Sequence, residues 1–93
     1  MSLKTIYQYL LGKGIVPKLR GFKYIETALE LLSQNVLYAE ALTTKLYPDV
    51  AKAHNTTWQR VERAIRHAKN TEKTNGEFLM ECLYDLKDLK IIK

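Results

Sequence analysis

The chain has 93 residues, 46% of them hydrophobic and 27% charged, with 15 Lys and Arg against 10 Asp and Glu for a formal charge of +5. That balance describes one globular domain, residues 1–93, with a modest core, and excludes a disordered chain. The single cysteine, Cys82, excludes an intrachain disulfide; no apolar run approaches the roughly 18 residues of a membrane span, and no signal-peptide hydrophobic region opens the chain. A reducing, cytoplasmic setting is the expectation.

The positive charge is unevenly spread. Residues 1–25 hold five basic residues and no acidic one, and residues 45–73 hold seven basic against three acidic. Both stretches favour a polyanionic partner.

A first helix is expected over Lys4 to Gly12, with Leu3, Ile6, Tyr7, Leu10 and Leu11 on one face. Gly12 and Gly14 stop it, and Pro17 confirms the break. The connector Lys13 to Lys23 carries Lys13, Lys18, Arg20 and Lys23, with Gly21 permitting a close backbone approach. It reads as a phosphate-clamping loop or as an ordinary solvated basic loop. Tyr24 to Gln34 is the second helix, a scaffold element with Ile25, Ala28, Leu29 and Leu32 as its buried stripe and Glu26 and Glu30 outside. Asn35 ends it.

Val36 to Tyr47 has helical spacing at Leu37, Ala41, Leu42 and Leu46, weakened by Thr43 and Thr44. Pro48 disfavours helical geometry at Tyr47. Either one helix stops there and a new one starts with Pro48 in its first turn, or a single helix runs through with a kink. Asp49 near a helix start favours the first option.

Tyr47 to Asn70 reads as a short helix, a tight turn and a longer basic helix, a helix-turn-helix over about residues 48–70. Val50 and Ala51 are small enough for a partner helix to cross closely. Asn55 falls at the turn and tolerates the left-handed conformation. Thr56 as N-cap and Gln59 three residues later predict a capping box. The recognition helix is placed at 57–70. Val61, Ala64, Ile65 and Ala68 recur at i, i+3, i+4 and i+7 and form its apolar stripe. Gln59, Arg63, Arg66 and Asn70 fall on the opposite face, flanked by Arg60, Glu62 and His67.

That division suits a helix that buries one side and presents the other to a DNA major groove. Arg63 and Arg66 can each donate two hydrogen bonds to guanine O6 and N7. Glu62 can accept from cytosine N4, or pair within the helix with Arg66. Gln59, Arg60, Lys69 and Asn70 read as supporting or phosphate contacts. His67 touches a phosphate or is simply solvated, and His54 caps or packs.

Lys69 to Gly76 is a polar turn. The last helix runs from Glu77 to Leu89, with Phe78, Leu79, Cys82, Leu83, Leu86 and Leu89 on one face and a basic tail, Lys90 to Lys93, beyond it. Glu77, Glu81, Asp85 and Asp88 repeat along its other side as a solvated face; no ligand His or Cys joins them, so no metal is expected. No CxxC, HExxH or Gly-rich phosphate loop occurs, so neither catalysis nor a cofactor is expected. The fold class that emerges is all-α, about five helices in a compact domain.

The run LYPDVAKAHNTT-x-x-RVERAIRHA, Leu46 to Ala68, resembles the effector domain of the sporulation master response regulator family, stage zero sporulation protein A. The resemblance continues upstream through GIVPKLRGFKYIETAL and downstream through TNGEFL. It implies a helical DNA-binding domain that reads a short box of the TGTCGAA type and regulates transcription, as tandem or dimeric copies and in contact with RNA polymerase sigma subunits. In the family, base-reading side chains come from positions that are here Glu62, Arg63 and Arg66. Three departures stand out. Trp58 replaces what is often a small residue. A segment that follows the family's recognition helix is missing. The family's receiver domain is not in these 93 residues, so the domain was taken from a longer protein or stands alone. A degenerate domain that binds a regulator or polymerase instead of DNA is the alternative reading.

Overall fold

The computed structural model describes residues 3–88; the Leu3 side chain, Leu89 and the tail Lys90–Lys93 lie outside the described residues. Five α-helices follow in order: α1 (Leu3–Gly12), α2 (Arg20–Gln34), α3 (Tyr47–Ala53), α4 (Trp58–Ala68) and α5 (Asn75–Asp88). No strand occurs among the described residues, as expected. No helix there is long and apolar enough to cross a membrane.

Helix α1 buries Ile6 and Leu10 completely, while Tyr7 and Leu11 stay about two-fifths exposed. Its buried face is therefore narrower than the expected stripe. Tyr7 rests edge-on against Phe22, ring centroids 5.2 Å apart. The helix closes in a Schellman motif. Gly14 takes φ +84°, its N–H reaches the Leu11 carbonyl, and Ile15 N–H reaches the Leu10 carbonyl. Ile15 then turns inward beside Leu10, which fixes the chain's exit.

Helix α2 begins at Arg20, four residues earlier than expected, so Arg20 and Lys23 are helical and only Lys13 and Lys18 remain in the connector, Lys13 held by Glu81. Gly21 lies inside the helix, where the close backbone approach it permits outweighs its low helix propensity. A Cβ at Gly21 would run into the Ala64 carbonyl oxygen and stand 2.6 Å from the Ala68 Cβ. The glycine thus lets α2 press directly on the backbone of α4. Ile25, Ala28, Leu29 and Leu32 form the buried stripe, as the spacing predicts.

The ambiguous segment resolves into two short irregular turns. Val36–Glu40 is a 3-10 helix, started by the Asn35 side chain accepting from Leu37 N–H. Leu42–Leu46 is a π-helical turn that runs directly into α3. Leu46 and Tyr47 both keep right-handed helical torsions, and Pro48 sits in the first turn of α3, where its missing N–H costs nothing. Leu37 is exposed and only Leu46 is fully buried, so the expected apolar face does not form. Tyr38 donates to Asp49 at 2.5 Å and clips this segment onto α3.

Helix α5 begins at Asn75, two residues early, behind a capping box the sequence carries as Thr-Asn-Gly-Glu. Thr74 Oγ1 accepts from Glu77 N–H at 3.1 Å, and Glu77 Oε1 accepts from Thr74 N–H at 3.0 Å. Its apolar side, Phe78, Leu79, Cys82, Leu83 and Leu86, closes the core. Burial raises the Cys82 thiol to about 11, so it is a packing residue, not a reactive one. The acidic side is not merely solvated. Glu81 pairs with Lys13 at 2.8 Å and with Lys73, and Asp85 accepts from the Tyr9 hydroxyl at 2.5 Å. These bonds tie α1 and the turn after α4 to α5. No group of acidic, His or Cys residues among those described could hold a metal ion.

Candidate nucleic-acid interface

The turn between α3 and α4 is built from residues 54–57. Asn55 adopts φ +54°, Thr56 N–H bonds the Ala51 carbonyl at 2.9 Å, and Asn55 N–H reaches the Lys52 carbonyl. This is a second Schellman closure, with Asn55 in the left-handed position its residue type tolerates. Thr56 is consumed in ending α3, so it does not cap α4. Thr57 does: its extended backbone stops the chain, and its hydroxyl accepts from Arg60 N–H at 3.4 Å. The expected Thr56–Gln59 capping box is corrected by one residue, and the helix spans 58–68 rather than 57–70.

Helix α4 separates its two faces sharply. Val61, Ile65 and Ala68 are buried and Ala64 is partly covered by Gly21 of α2. Val50 and Ala51 of α3, both buried, complete the seat. Gln59, Arg60, Arg63, Arg66 and His67 are all exposed. Trp58, at the first helical position, is 37% exposed.

One flank of α4 faces the start of α2. Arg20, Tyr24, Arg60, Arg63, Ala64 and His67 line an open groove of about 290 Å³. A neighbouring hollow adds Lys23 and His54 around Arg20 and Tyr24. No carboxylate lines either. The floor is the Tyr24 ring and the Ala64 methyl; the rim is basic. His54 is a packing residue, sharing a 2.7 Å hydrogen bond with Thr27 Oγ1 and stacking edge-on against Tyr24. It fastens the end of α3 to α2.

The other flank faces the turn before α5 and is mixed in charge. Glu62, Arg66, Lys69, Glu72 and Lys73 line it with Tyr47 and Asn75, around an open cavity of about 480 Å³. Arg66 Nε lies 3.5 Å from Glu62 Oε2, the intrahelical pair the spacing allows. That separation is long for a hydrogen bond, and Glu62 Oε2 is covered without a donor. The contact is an ion pair of the kind worth a few tenths of a kcal/mol, and it leaves Arg66 largely exposed.

Lys69 does not join the exposed face. It is 7% exposed, and its ammonium donates to the Arg66 carbonyl at 3.4 Å, closing the end of α4. A basic residue just past a helix looks like a phosphate contact in sequence, but this one satisfies the helix's own terminal carbonyl. Asn70 follows with φ +52°, exposed but outside the helix. Lys18 is exposed in the connector and is not among the residues that line the basic groove. The structure therefore gathers Arg20, Lys23, Arg60, Arg63 and His67 together, sets Glu62 and Arg66 on the opposite flank, and withdraws Lys69.

Two contributors escape the sequence reading. Tyr24 floors the basic groove, and helical spacing alone makes it one more core aromatic. Asn75 Nδ2 donates to the Glu62 main-chain carbonyl at 3.0 Å; the Thr74–Glu77 capping signal would have located it. Compared with known families, residues 6–88 match the model described as sporulation initiation factor Spo0A, C-terminal.

Proposed function

Since the chain belongs to the Spo0A C-terminal domain family, a non-enzymatic DNA-binding effector of transcription, we propose that α4 enters the major groove and reads a short box of the TGTCGAA type. The unit that does so is a single domain over residues 1–93, with α3 and α4 as its helix-turn-helix. Arg63 and Arg66 take guanine O6 and N7, and Glu62 accepts from cytosine N4 once it leaves Arg66. Each good bidentate pair discriminates by about 1–3 kcal/mol. Arg20, Lys23, Arg60 and His67 grip the phosphates beside the groove, with Gln59, Asn70 and Lys18 at its edges.

The observation that carries this reading is the carboxylate-free groove between α2 and α4, whose rim holds Arg20, Arg60, Arg63 and His67. A strand of DNA backbone laid there meets positive charge from two helices while α4 remains free to face the bases. One such domain buries little surface, so tandem or dimeric binding at adjacent boxes follows, with a polymerase sigma subunit as the further partner and the cytoplasm as the setting. Methylation interference tests it. Methylating guanine N7 within the box blocks binding if Arg63 and Arg66 occupy those edges. Binding indifferent to N7 methylation excludes their base reading.

A further inference from the structure

Asn75 stands at the start of α5, behind the recognition face, yet it is bonded to the middle of α4. Its Nδ2 donates to the Glu62 carbonyl at 3.0 Å, while its Oδ1 is covered and has no partner. Flipping the amide would set oxygen against carbonyl oxygen, so the donor end belongs on α4. A covered, unmet acceptor costs stability. What the residue supplies in return is a fixed point on the helix.

Asn75 is itself held from both sides. The Thr74–Glu77 capping box fixes the backbone around it. Gly76 brings the first turn of α5 against the π-helical turn, where a Cβ would stand 2.9 Å from Leu42 Cδ1. The anchored carbonyl is that of Glu62, one residue before Arg63, and the helical pattern gives it the Arg66 N–H as well. Gly21 and the α3 seat fix how closely α4 packs. Among the described residues, Asn75 makes the side-chain hydrogen bond that runs from α5 to the α4 backbone.

We propose that Asn75 is a positioning residue for base readout: by pinning the Glu62 carbonyl it sets the rotation of α4 from which Glu62, Arg63 and Arg66 address the base edges. It acts through the helix backbone and touches no DNA. The proposal rests on the reading of α4 given above. It has a distinct signature, because the phosphate-gripping residues lie on the opposite flank. Loss of Asn75 lowers discrimination and leaves the electrostatic part of binding in place.

The test uses Asn75→Leu, a side chain of similar size with neither donor nor charge, and Asn75→Ala. Anisotropy titrations with box and scrambled duplexes at several salt concentrations are paired with proton–nitrogen correlation spectra of the DNA-free proteins. The expected result is a loss of about tenfold in the box-over-scrambled ratio. The slope of log K against log salt stays unchanged, and amide shifts concentrate on residues 62–67. A folded variant that keeps the full ratio, or whose α4 amides do not move, overturns the proposal. Should both variants unfold, Asn75→Ser carries the same two readouts. Wild-type protein with no box preference overturns the reading of α4 itself, a result distinct from failure of the variants.

Discussion

The two flanks of α4 are built on opposite plans. Toward α2, Arg20, Lys23, Arg60, Arg63 and His67 converge around hollows that no carboxylate lines, and form no ion pair among the described residues, Glu26 lying near enough only to feel the Lys23 charge. Toward α5, Arg66 pairs with Glu62, Lys69 is folded back on a carbonyl, and Asn75 holds the main chain. The first flank spends nothing on internal pairing and leaves its charge for a polyanion. The second uses its polar groups on one another and fixes geometry. On the proposed reading the first flank carries most of the phosphate contacts together with Arg63, and the second holds the backbone of the eleven-residue helix in place.

The comparison breaks most completely if α4 loses its seat. Gly21→Ala drives a methyl into the Ala64 carbonyl and should destabilise the fold by about 3 kcal/mol, at the upper end of overpacking costs, as read by urea denaturation. Both flanks then fail together. Arg63→Ala removes a base-reading group from the basic flank. Box binding should weaken by about 1–3 kcal/mol while scrambled duplex loses much less, as measured by competition titration. Arg20→Ala and Lys23→Ala sharpen the contrast: affinity for box and scrambled DNA should fall in parallel, and each salt slope should shrink by about 0.9. Equal effects of Arg63 and Lys23 on discrimination would erase the distinction.

Smaller effects test the scaffold. Thr57→Ala should cost about 1 kcal/mol of stability, and Thr56→Ala much less, since only the Thr56 main chain is used in the turn. Equal losses in thermal unfolding would return the cap to Thr56. The smallest effect concerns pH. Lys13, and then Lys73, hold the Glu81 carboxyl down to about 2, below its ordinary 4.5. Its stabilisation is complete above about pH 4.5 and is lost as pH falls toward 2. Glu81→Gln should therefore flatten the acid limb of stability between pH 4.5 and 2, read from urea midpoints.

Much of this arrangement was legible. The Val61, Ala64, Ile65 and Ala68 stripe, the left-handed Asn55 and the small residues of α3 are local signals, and local signals define a helix-turn-helix. What was illegible depended on tertiary contact. Gly21 signals a close approach, but that the approaching element is α4, and that α2 already runs through Gly21 from Arg20, depends on the packing of the two helices. Two adjacent threonines are equivalent caps until the Schellman closure of α3 claims the first. Lys69 reads as a surface cation until its carbonyl partner is seen. The π-helical turn at Leu42–Leu46 has no propensity signature. Asn75 reads as part of the polar turn Lys69 to Gly76, although Thr-Asn-Gly-Glu carries the capping signal that starts α5 there.

The most direct test of the central claim is fluorescence anisotropy of a labelled duplex carrying a TGTCGAA-type box against a scrambled duplex, at two salt concentrations. A preference for the box that persists at the higher salt is the predicted result, because base-edge bonds survive when phosphate contacts are screened. Equal binding to both duplexes that collapses as salt rises would contradict it, leaving a basic domain that holds DNA by charge alone.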